Sequence, residues 1–169
     1  MQNTRKLTTE QVLCLRSSLH YNPETGVFKR LKTVSNVKSG SVAGYLDQGG
    51  YWKIKFQGKG YLAHRLAFYL MGIEPPTYVD HINGVRDDNR WCNLRPTSFA
   101  SNTHNQKRRK NNSSGLKGVS YHKRIGKYSS KITVRYEQKH LGYFDCPEDA
   151  HEAYKKAADK YHGEFKNYG

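Results

Sequence analysis

A polar, basic stretch between Thr103 and Lys117 most constrains how this chain can fold. It contains Lys107-Arg-Arg-Lys110 followed by Asn111-Asn-Ser-Ser-Gly115, and a segment of this composition cannot form a core. The chain of 169 residues is long enough for two small domains. We therefore predict two folded units, residues 1–108 and 117–169, joined by a basic and polar linker at residues 109–116.

Short-range patterns before this linker predict two helices and several short strands. Apolar residues at helical spacing predict helices over residues 8–19 and 63–71. Between them, Val27 to Arg30 is expected to form a short strand. The alternation in Tyr51–Phe56 predicts another strand, with one face inward and a basic face outward.

After the linker the pattern predicts a small sheet backed by one helix. Pro147 suits a first helical turn, and small residues at helical spacing over residues 147–161 allow close packing on a sheet. Three short strands are expected before this helix, at residues 119–123, 127–135 and 139–144. The fold class predicted for the whole chain is α+β, which agrees with an apolar content of only 36%.

The charge of the chain is strongly positive and unevenly spread. The formal net charge is +15, and the stretch Asn89–Tyr136 contains twelve Lys and Arg but no Asp or Glu. A concentrated positive field indicates a polyanionic partner. A nucleic acid is the partner that the charge favours, rather than a small-molecule substrate; double-stranded DNA is expected only from the family resemblances of the chain. The linker cations are candidate phosphate contacts, with a spacer of incidental charge as the alternative: Lys107, Arg108, Arg109 and Lys110.

The cysteines and the apolar runs exclude several other classes of protein. Cys14, Cys92 and Cys146 are far apart and odd in number, so they predict reduced thiols and no structural zinc. No apolar run approaches the length of a membrane span, and no apolar segment follows the charged N-terminus. We therefore expect a cytoplasmic protein with no membrane partner.

The densest group of candidate catalytic residues is Val79-Asp-His-Ile-Asn-Gly84 and the polar segments after it. These segments are Asp88-Asn-Arg90, Asn93-Leu-Arg95 and Asn102-Thr-His-Asn105. Hydrolysis of a phosphodiester needs a cation to neutralise charge and a group that takes a proton from water. An Asp beside a His supplies both kinds of group. Because adjacent residues on a strand point to opposite sides, one shared site would require a twisted strand end.

The spacing of Asp80-His81, Asn93 and Asn102 resembles the HNH endonuclease motif, especially that of the phage and intron-encoded homing group. His64-Arg-Leu66 also resembles that group, and the likeness covers roughly residues 20 to 108. It implies a ββα-metal core in the first domain, preceded by a strand-rich N-terminal extension. If the protein is phage-encoded, it would act in the host cell cytoplasm.

The resemblance also assigns roles to the motif residues. His81 would be the general base, and Asp80 and Asn102 would ligate one divalent cation, Mg²⁺ or Mn²⁺. Asn93 would hold the loop and the His81 ring in position. The last metal ligand stays open between Asn102 and its neighbours His104 and Asn105. His64 is given no catalytic role.

Residues Gly115 to Gly169 resemble the AP2 DNA-binding domain. The likeness rests on Gly118-Val119, Gly126-Lys-Tyr128, Leu141-Gly-Tyr-Phe-Asp145 and the helix residues Glu148-Asp-Ala150, Ala153-Tyr154 and Ala157-Ala158. It implies that the exposed face of the sheet lies in the DNA major groove. The DNA-binding residues that match are Lys117, Ser120, His122, Lys131, Thr133 and His140, with Arg124 in the first turn. Several of these differ from the plant-type pattern, so a GC-rich target is not implied.

Together these features predict a metal-dependent DNA endonuclease that hydrolyses phosphodiester bonds, with the AP2-like domain binding target DNA. A site-directed nicking or homing enzyme and an enzyme that degrades host DNA use the same chemistry. The alternative is a non-enzymatic, sequence-specific DNA-binding regulator with an inactive HNH scaffold; RNA binding ranks third because no aromatic RNA-binding strand is present. The sequence leaves open the oligomeric state, the target, and nicking versus a double-strand break.

Overall fold

The computed structural model describes residues 6–98, 101, 112 and 114–169. The chain divides into two compact units, Met1–Thr97 and Ser98–Gly169. The predicted linker at residues 109–116 lies partly outside the described residues, so its boundaries stay a prediction. The α+β class is confirmed, because both units combine helices with small antiparallel sheets.

The N-terminal unit begins with helix α1, Thr9–Ser18. The helix starts with a capping box: the Thr8 hydroxyl accepts a bond from the Gln11 N–H at 3.3 Å, and the Gln11 side chain accepts one from the Thr8 N–H at 3.0 Å. Leu15 is the buried residue of this helix. The helix ends one residue earlier than predicted because Leu19 already belongs to the first strand.

Two small antiparallel sheets follow α1. Strands β1, Leu19–Tyr21, and β2, Phe28–Arg30, form a hairpin, and the second sheet has the strand order β3-β4-β5. Its strands are β3, Tyr45–Leu46, β4, Trp52–Phe56, and β5, Lys59–Leu62. The predicted alternation is confirmed in β4, where Ile54 and Phe56 are buried and Lys55 is exposed.

Helix α2, Ala63–Leu70, leads into the hairpin that carries the candidate catalytic residues. Every residue of α2 except Leu70 is buried. Strand β6, Tyr78–His81, pairs antiparallel with β7, Leu94–Thr97, and a short 3-10 helix at Trp91–Asn93 precedes β7. The core of the unit is built from residues of α1, α2, β1, β2 and β4, with Val79 and Leu94 from the hairpin.

The ββα-metal core stays a prediction. The β6–β7 hairpin supplies two antiparallel strands, and the helix that the resemblance implies would fall after Thr97. Of residues 99–111, only Ser101 is described.

The C-terminal unit is a three-stranded antiparallel sheet covered on one face by a helix. The sheet order is β10-β9-β8. Its elements are β8, Val119–His122, β9, Lys127–Val134, β10, Glu137–Phe144, helix α3, Pro147–His162, and a 3-10 helix at Gly163–Phe165. Ile132 packs with Tyr154, Ala157 and Ala158 of α3. The three predicted strands and the helix are confirmed, whereas the AP2 likeness stays a prediction.

No helix within the described residues is long and apolar enough to cross a membrane.

Candidate active site

Asp80 and His81 lie at the end of β6 and are both buried. In the β6–β7 hairpin Asp80 is opposite Arg95, and His81 is opposite Leu94. The exposed fractions of Asp80 and His81 are 4% and 5%. Polar groups are rarely buried to this extent unless they have partners. The partners of these two residues differ, as expected for neighbours on a strand.

Asp80 is held by a guanidinium fork from the opposite strand. Arg95 Nε and Nη2 both donate to Asp80 Oδ2, at 2.9 Å and 2.7 Å. The exposed fractions of the two side chains are 16% for Arg95 and 5% for Asp80. Charge-assisted bonds of this kind are short and directional, and the pair is largely shielded from solvent. The carboxylate of Asp80 is therefore fixed in position by Arg95.

His81 contacts a group of aromatic rings from the preceding elements. Its ring centroid is 5.1 Å from that of His64 on α2, with the rings nearly perpendicular, and 6.1 Å from that of Tyr51. The guanidinium carbon of Arg86 lies 5.1 Å from the centroid of Tyr51. His64 is 1% exposed, so it is a core contact of His81 and not a surface residue.

Both histidines are favoured in the neutral form. Burial lowers the pKa of His81, and a hydrogen bond with the Asn89 side chain and the charges of nearby aspartates offset part of this effect. Burial lowers the pKa of His64 to about 3, with smaller contributions from His81 and Arg65. A neutral imidazole can accept a proton, which is what a general base requires.

The loop after His81 is held together by the side chain of Asn93. The Asn93 Oδ1 accepts a hydrogen bond from the Asn83 N–H at 3.0 Å, and its Nδ2 donates to the Asp88 carbonyl at 2.8 Å. The Ile82 N–H also donates to the Asn93 carbonyl at 2.9 Å. Asn93 thus joins two parts of the loop to the start of β7, and its role in positioning the His81 ring stays a prediction.

A second arginine fork closes the same loop at the surface. Arg90 Nε donates to Asp88 Oδ1 at 2.8 Å and Arg90 Nη2 donates to Oδ2 at 2.6 Å, while the Asn83 amide donates to Oδ2 at 2.7 Å. Arg90 lowers the pKa of the Asp88 carboxyl to about 2. Asp88 is therefore ionised and engaged in the loop itself.

Residues of the N-terminal extension form hydrogen bonds with this loop. The Tyr21 hydroxyl donates to the Asn89 carbonyl at 2.7 Å, and the Trp91 N–H donates to the Pro23 carbonyl at 2.8 Å. Gly26 has a φ of +73°, and a Cβ there would lie 2.6 Å from the backbone nitrogen of Arg90. Only glycine satisfies both the left-handed backbone and this close approach.

The described residues contain only part of the predicted metal site. Among them, no group of three or more His, Cys, Asp and Glu side chains is placed to hold a metal ion. Asn102, His104 and Asn105 lie outside the described residues. The Asp80 carboxylate and an amide oxygen from Asn102 or Asn105 are oxygen donors of the kind that Mg²⁺ takes, and this ion completes its shell with water and phosphate oxygens.

In the C-terminal unit, five predicted DNA-binding residues are exposed on the sheet face opposite α3: Ser120, His122, Lys131, Thr133 and His140. Lys131 and Thr133 alternate along β9 with the buried Ile132. His140 pairs with Lys131 in register, and its ring centroid is 4.5 Å from that of Tyr143, which is 5.7 Å from the ring of His122. We call this face the outer face; it consists of Ser120, His122, Ser129, Lys131, Thr133, Gln138, His140 and Tyr143.

The other predicted DNA contacts are placed differently or are not described. Arg124 is exposed in the turn between β8 and β9. Lys117 is half-buried: burial lowers its pKa to about 8, and its charge lowers the pKa of His162 on α3. Its role as a DNA contact stays a prediction. The four linker cations, Lys107, Arg108, Arg109 and Lys110, lie outside the described residues.

Sequence reasoning missed two residues that the structure brings to the motif. Arg95 is fifteen positions from Asp80 and binds it only because β6 and β7 pair. His64 meets His81 because α2 packs beside β6. Arg95 does belong to the segment Asn93-Leu-Arg95 that resembles the HNH motif, but no strand pairing that would set it beside Asp80 was predicted from the sequence.

Comparison with known proteins agrees with the geometry of the hairpin. Residues 61–104 match the sequence model of a family described as HNH endonuclease. No curated protein and no solved structure matches the chain. The matched segment contains α2, β6 and β7, and with them His64, Asp80, His81 and Arg95. This segment is similar to HNH endonucleases, and the match supports an HNH nuclease that acts on DNA.

Proposed function

We propose that this protein is a metal-dependent DNA endonuclease whose active site is formed by the β6–β7 hairpin and the residues that follow it. The observation that carries the proposal is that a buried carboxylate and a buried neutral imidazole are adjacent residues at one strand end, within the segment similar to HNH endonucleases. A domain that binds DNA only through exposed residues does not require a buried, neutral histidine beside an Asp. Such a histidine suits proton transfer in a largely water-excluded site.

In this proposal His81 takes the proton of the attacking water. Its pKa is lowered chiefly by burial, so the ring is unprotonated and able to act near neutral pH. Asn93 positions the loop next to the ring through its bonds to Asn83 and Asp88. His81 is only 5% exposed, so only a molecule that enters the site can reach its ring.

Asp80, together with Asn102 or a neighbour of it, would hold one divalent cation, which we propose to be Mg²⁺ or Mn²⁺. When bound, this cation would neutralise charge that develops on the phosphate and the leaving oxygen. A carboxylate and an amide oxygen are hard donors, which suit Mg²⁺ better than zinc.

We also propose that the outer face of the C-terminal sheet binds the target DNA as an AP2-like module. From Ser98 onward the chain contains fifteen Lys and Arg against seven Asp and Glu. The outer face carries no acidic residue, whereas Glu148, Asp149, Glu152 and Asp159 are all on α3. Lys131 and the polar side chains of this face are therefore not opposed by an acidic side chain on the same face, and they can approach phosphates. A module of this kind would direct cutting to a site, as in a nicking or homing enzyme.

Cleavage of supercoiled plasmid tests the nuclease directly. The purified chain is incubated with plasmid in Mg²⁺ or EDTA, beside the His81→Ala variant, and the products are separated by gel electrophoresis. We expect open circles or linear DNA only with Mg²⁺ and only when His81 is present. Open circles would indicate nicking, and linear DNA would indicate a double-strand break.

The matched control is His20→Ala, because His20 is exposed on β1 and lies outside the matched segment. This variant should cut as the unchanged protein does. Equal cutting by His81→Ala would rule out His81 as the general base. Binding without cutting by the unchanged protein, across several divalent metals and candidate targets, would favour the non-enzymatic DNA-binding regulator.

A further inference from the structure

The most informative contact outside the proposed chemistry is the one that covers Asp80. Two hydrogen bonds from Arg95 end on the same carboxylate oxygen of Asp80, Oδ2, at 2.9 Å and 2.7 Å. The pair is largely buried, with side-chain exposed fractions of 16% and 5%. Arg95 therefore occupies an oxygen of the carboxylate that the proposed function assigns to a divalent cation.

The guanidinium and a divalent cation cannot share this oxygen without a cost. Two positive charges at contact distance repel each other strongly where solvent is excluded. A guanidinium pulled away from Asp80 would also lose two charge-assisted hydrogen bonds in a poorly solvated position. Cation binding at Asp80 therefore requires a second anion that takes Arg95.

A DNA phosphate is the anion that suits this exchange. A guanidinium binds phosphate through the same two-pronged arrangement that it uses with a carboxylate. The phosphate that is to be hydrolysed must approach the cation, and so it must also approach Asp80 and its partner. One phosphate could thus receive Arg95 and contribute oxygen ligands to the cation.

We propose that Arg95 couples divalent-cation binding at Asp80 to the arrival of DNA. Without DNA, Arg95 holds the Asp80 carboxylate and keeps the cation affinity low. With a phosphate in the site, Arg95 transfers to it and Asp80 becomes available as a ligand. This inference rests on the proposed function, because it takes Asp80 to be a metal ligand. By thermodynamic linkage, the cation must raise the affinity for DNA by the same factor by which DNA raises the affinity for the cation.

The test measures Mn²⁺ binding to the full chain, by electron paramagnetic resonance of the free ion, with and without a short DNA duplex. His81→Ala is present throughout so that the DNA stays intact, and Mn²⁺ bound by the duplex alone is subtracted. We expect DNA to raise the Mn²⁺ affinity by about tenfold or more. In Arg95→Gln, the affinity without DNA should already be raised by a similar factor, and the effect of DNA should largely disappear.

The matched control is Arg16→Gln. Arg16 is an exposed arginine on α1 and lies outside the segment that is similar to HNH endonucleases. Its removal should leave Mn²⁺ affinity unchanged both with and without DNA. An affinity of Arg95→Gln that equals the unchanged protein, or falls below it, would overturn the coupling role.

Two further variants keep the outcomes distinguishable. If Asp80→Asn binds Mn²⁺ as well as the unchanged protein does, the ligand role of Asp80 fails, and the coupling fails with it. If Asp80→Asn loses Mn²⁺ binding while Arg95→Gln has no effect, only the coupling fails.

Folding of the variants is checked by the fluorescence of Trp52 and Trp91. If Arg95→Gln does not fold, Arg95→Lys replaces it. Its single ammonium cannot form the fork, so a raised affinity is expected and an unchanged one contradicts the inference.

Discussion

The two units use similar polar side chains in opposite ways. In the N-terminal unit, Asp80, His81 and Asn93 are buried and joined to other residues. In the C-terminal unit, Lys131, Thr133 and His140 are exposed on the outer face. Burial of a polar group is tolerated only when its partners are in place, so the buried polar side chains of the N-terminal unit are held in a single arrangement. The second leaves the side chains solvated and able to adapt to a surface.

This difference separates two requirements of a DNA-cutting protein. Proton transfer and cation binding depend on positions held to a fraction of an ångström, which interlocked buried groups provide. Contact with a charged duplex depends on the number and spread of cations, which an exposed face provides. Changes in the first region should therefore have large and specific effects, whereas single changes in the second should have small ones.

The largest effect is expected for Asn93→Ala. The change leaves the Asn83 N–H and the Asp88 carbonyl without the Asn93 side chain. Each lost partner should cost about 1 to 3 kcal/mol, so the free energy of unfolding of the N-terminal unit should fall by about 2 to 4 kcal/mol. Cleavage should fall by about a hundredfold or more, because the loop beside His81 loosens.

Urea unfolding followed by tryptophan fluorescence measures this change, because both tryptophans, Trp52 and Trp91, are in the N-terminal unit. Asn36→Ala is the control, since Asn36 is exposed in a turn. Similar losses in the two variants would contradict the special position of Asn93.

Gly26→Ala should act on the same loop through the backbone. The new Cβ would lie 2.6 Å from backbone atoms of Asn89 and Arg90, at a φ of +73°. Strain and overpacking together should lower the free energy of unfolding by about 2 to 3 kcal/mol. Gly58→Ala is the matched control, because Gly58 has a φ of +74° and no atom within 4 Å of an added Cβ. It should cost only about 1 kcal/mol. Equal unfolding midpoints would show that the close approach carries no energy.

The pH dependence of unfolding should reveal the buried His64. Its pKa is about 3 in the folded state, against an ordinary value of 6.5. Between these values the unfolded state binds one more proton, so the free energy of unfolding of the N-terminal unit falls as the pH falls through this window. The slope from this residue should approach about 1.4 kcal/mol per pH unit and vanish above its ordinary pKa.

Urea unfolding at about pH 7 and about pH 5 compares the unchanged chain with His64→Gln, which removes the titrating group. In His64→Gln, the number of protons that the unfolded state binds in excess of the folded state should be smaller by about one. His81 contributes an excess of the same sign in both proteins. An unchanged slope would mean that His64 titrates normally in the folded state.

The smallest effect is expected on the outer face. Lys131→Ala should weaken DNA binding by only a few fold and reduce the slope of log affinity against log salt by about one. Lys156→Ala, on the exposed side of α3, is the control and should change neither. Binding is measured by fluorescence anisotropy in EDTA, so that the duplex stays intact. Equal losses in the two variants would indicate diffuse attraction by the whole unit.

The elements that were predicted correctly are those with a local cause. Helix α3 has Pro147 in its first turn and small residues at helical spacing, and β4 alternates apolar and basic residues. The boundary error at Leu19 has a tertiary cause, because Leu19 pairs with Arg30 in the first hairpin and leaves the helix. Propensity at that position did not distinguish the two states.

The sequence by itself determined the residue types available for chemistry. Asp80-His81 and Asn93 have a spacing that resembles the HNH motif, and the run of cations without acids indicates a nucleic acid. Periodicity determined the order of the main helices and strands, because it depends on residues that are neighbours along the chain.

Only the tertiary structure decided which groups surround the motif. Strand pairing brings Arg95 onto Asp80, and the packing of α2 brings His64 onto His81. Tertiary packing also brings the turn at Gly26 against the loop at Asn89 and Arg90. These contacts join residues far apart in the chain, and burial then lowers the pKa of both His64 and His81. A local pattern contains neither the pairing nor the burial, so it could not predict them.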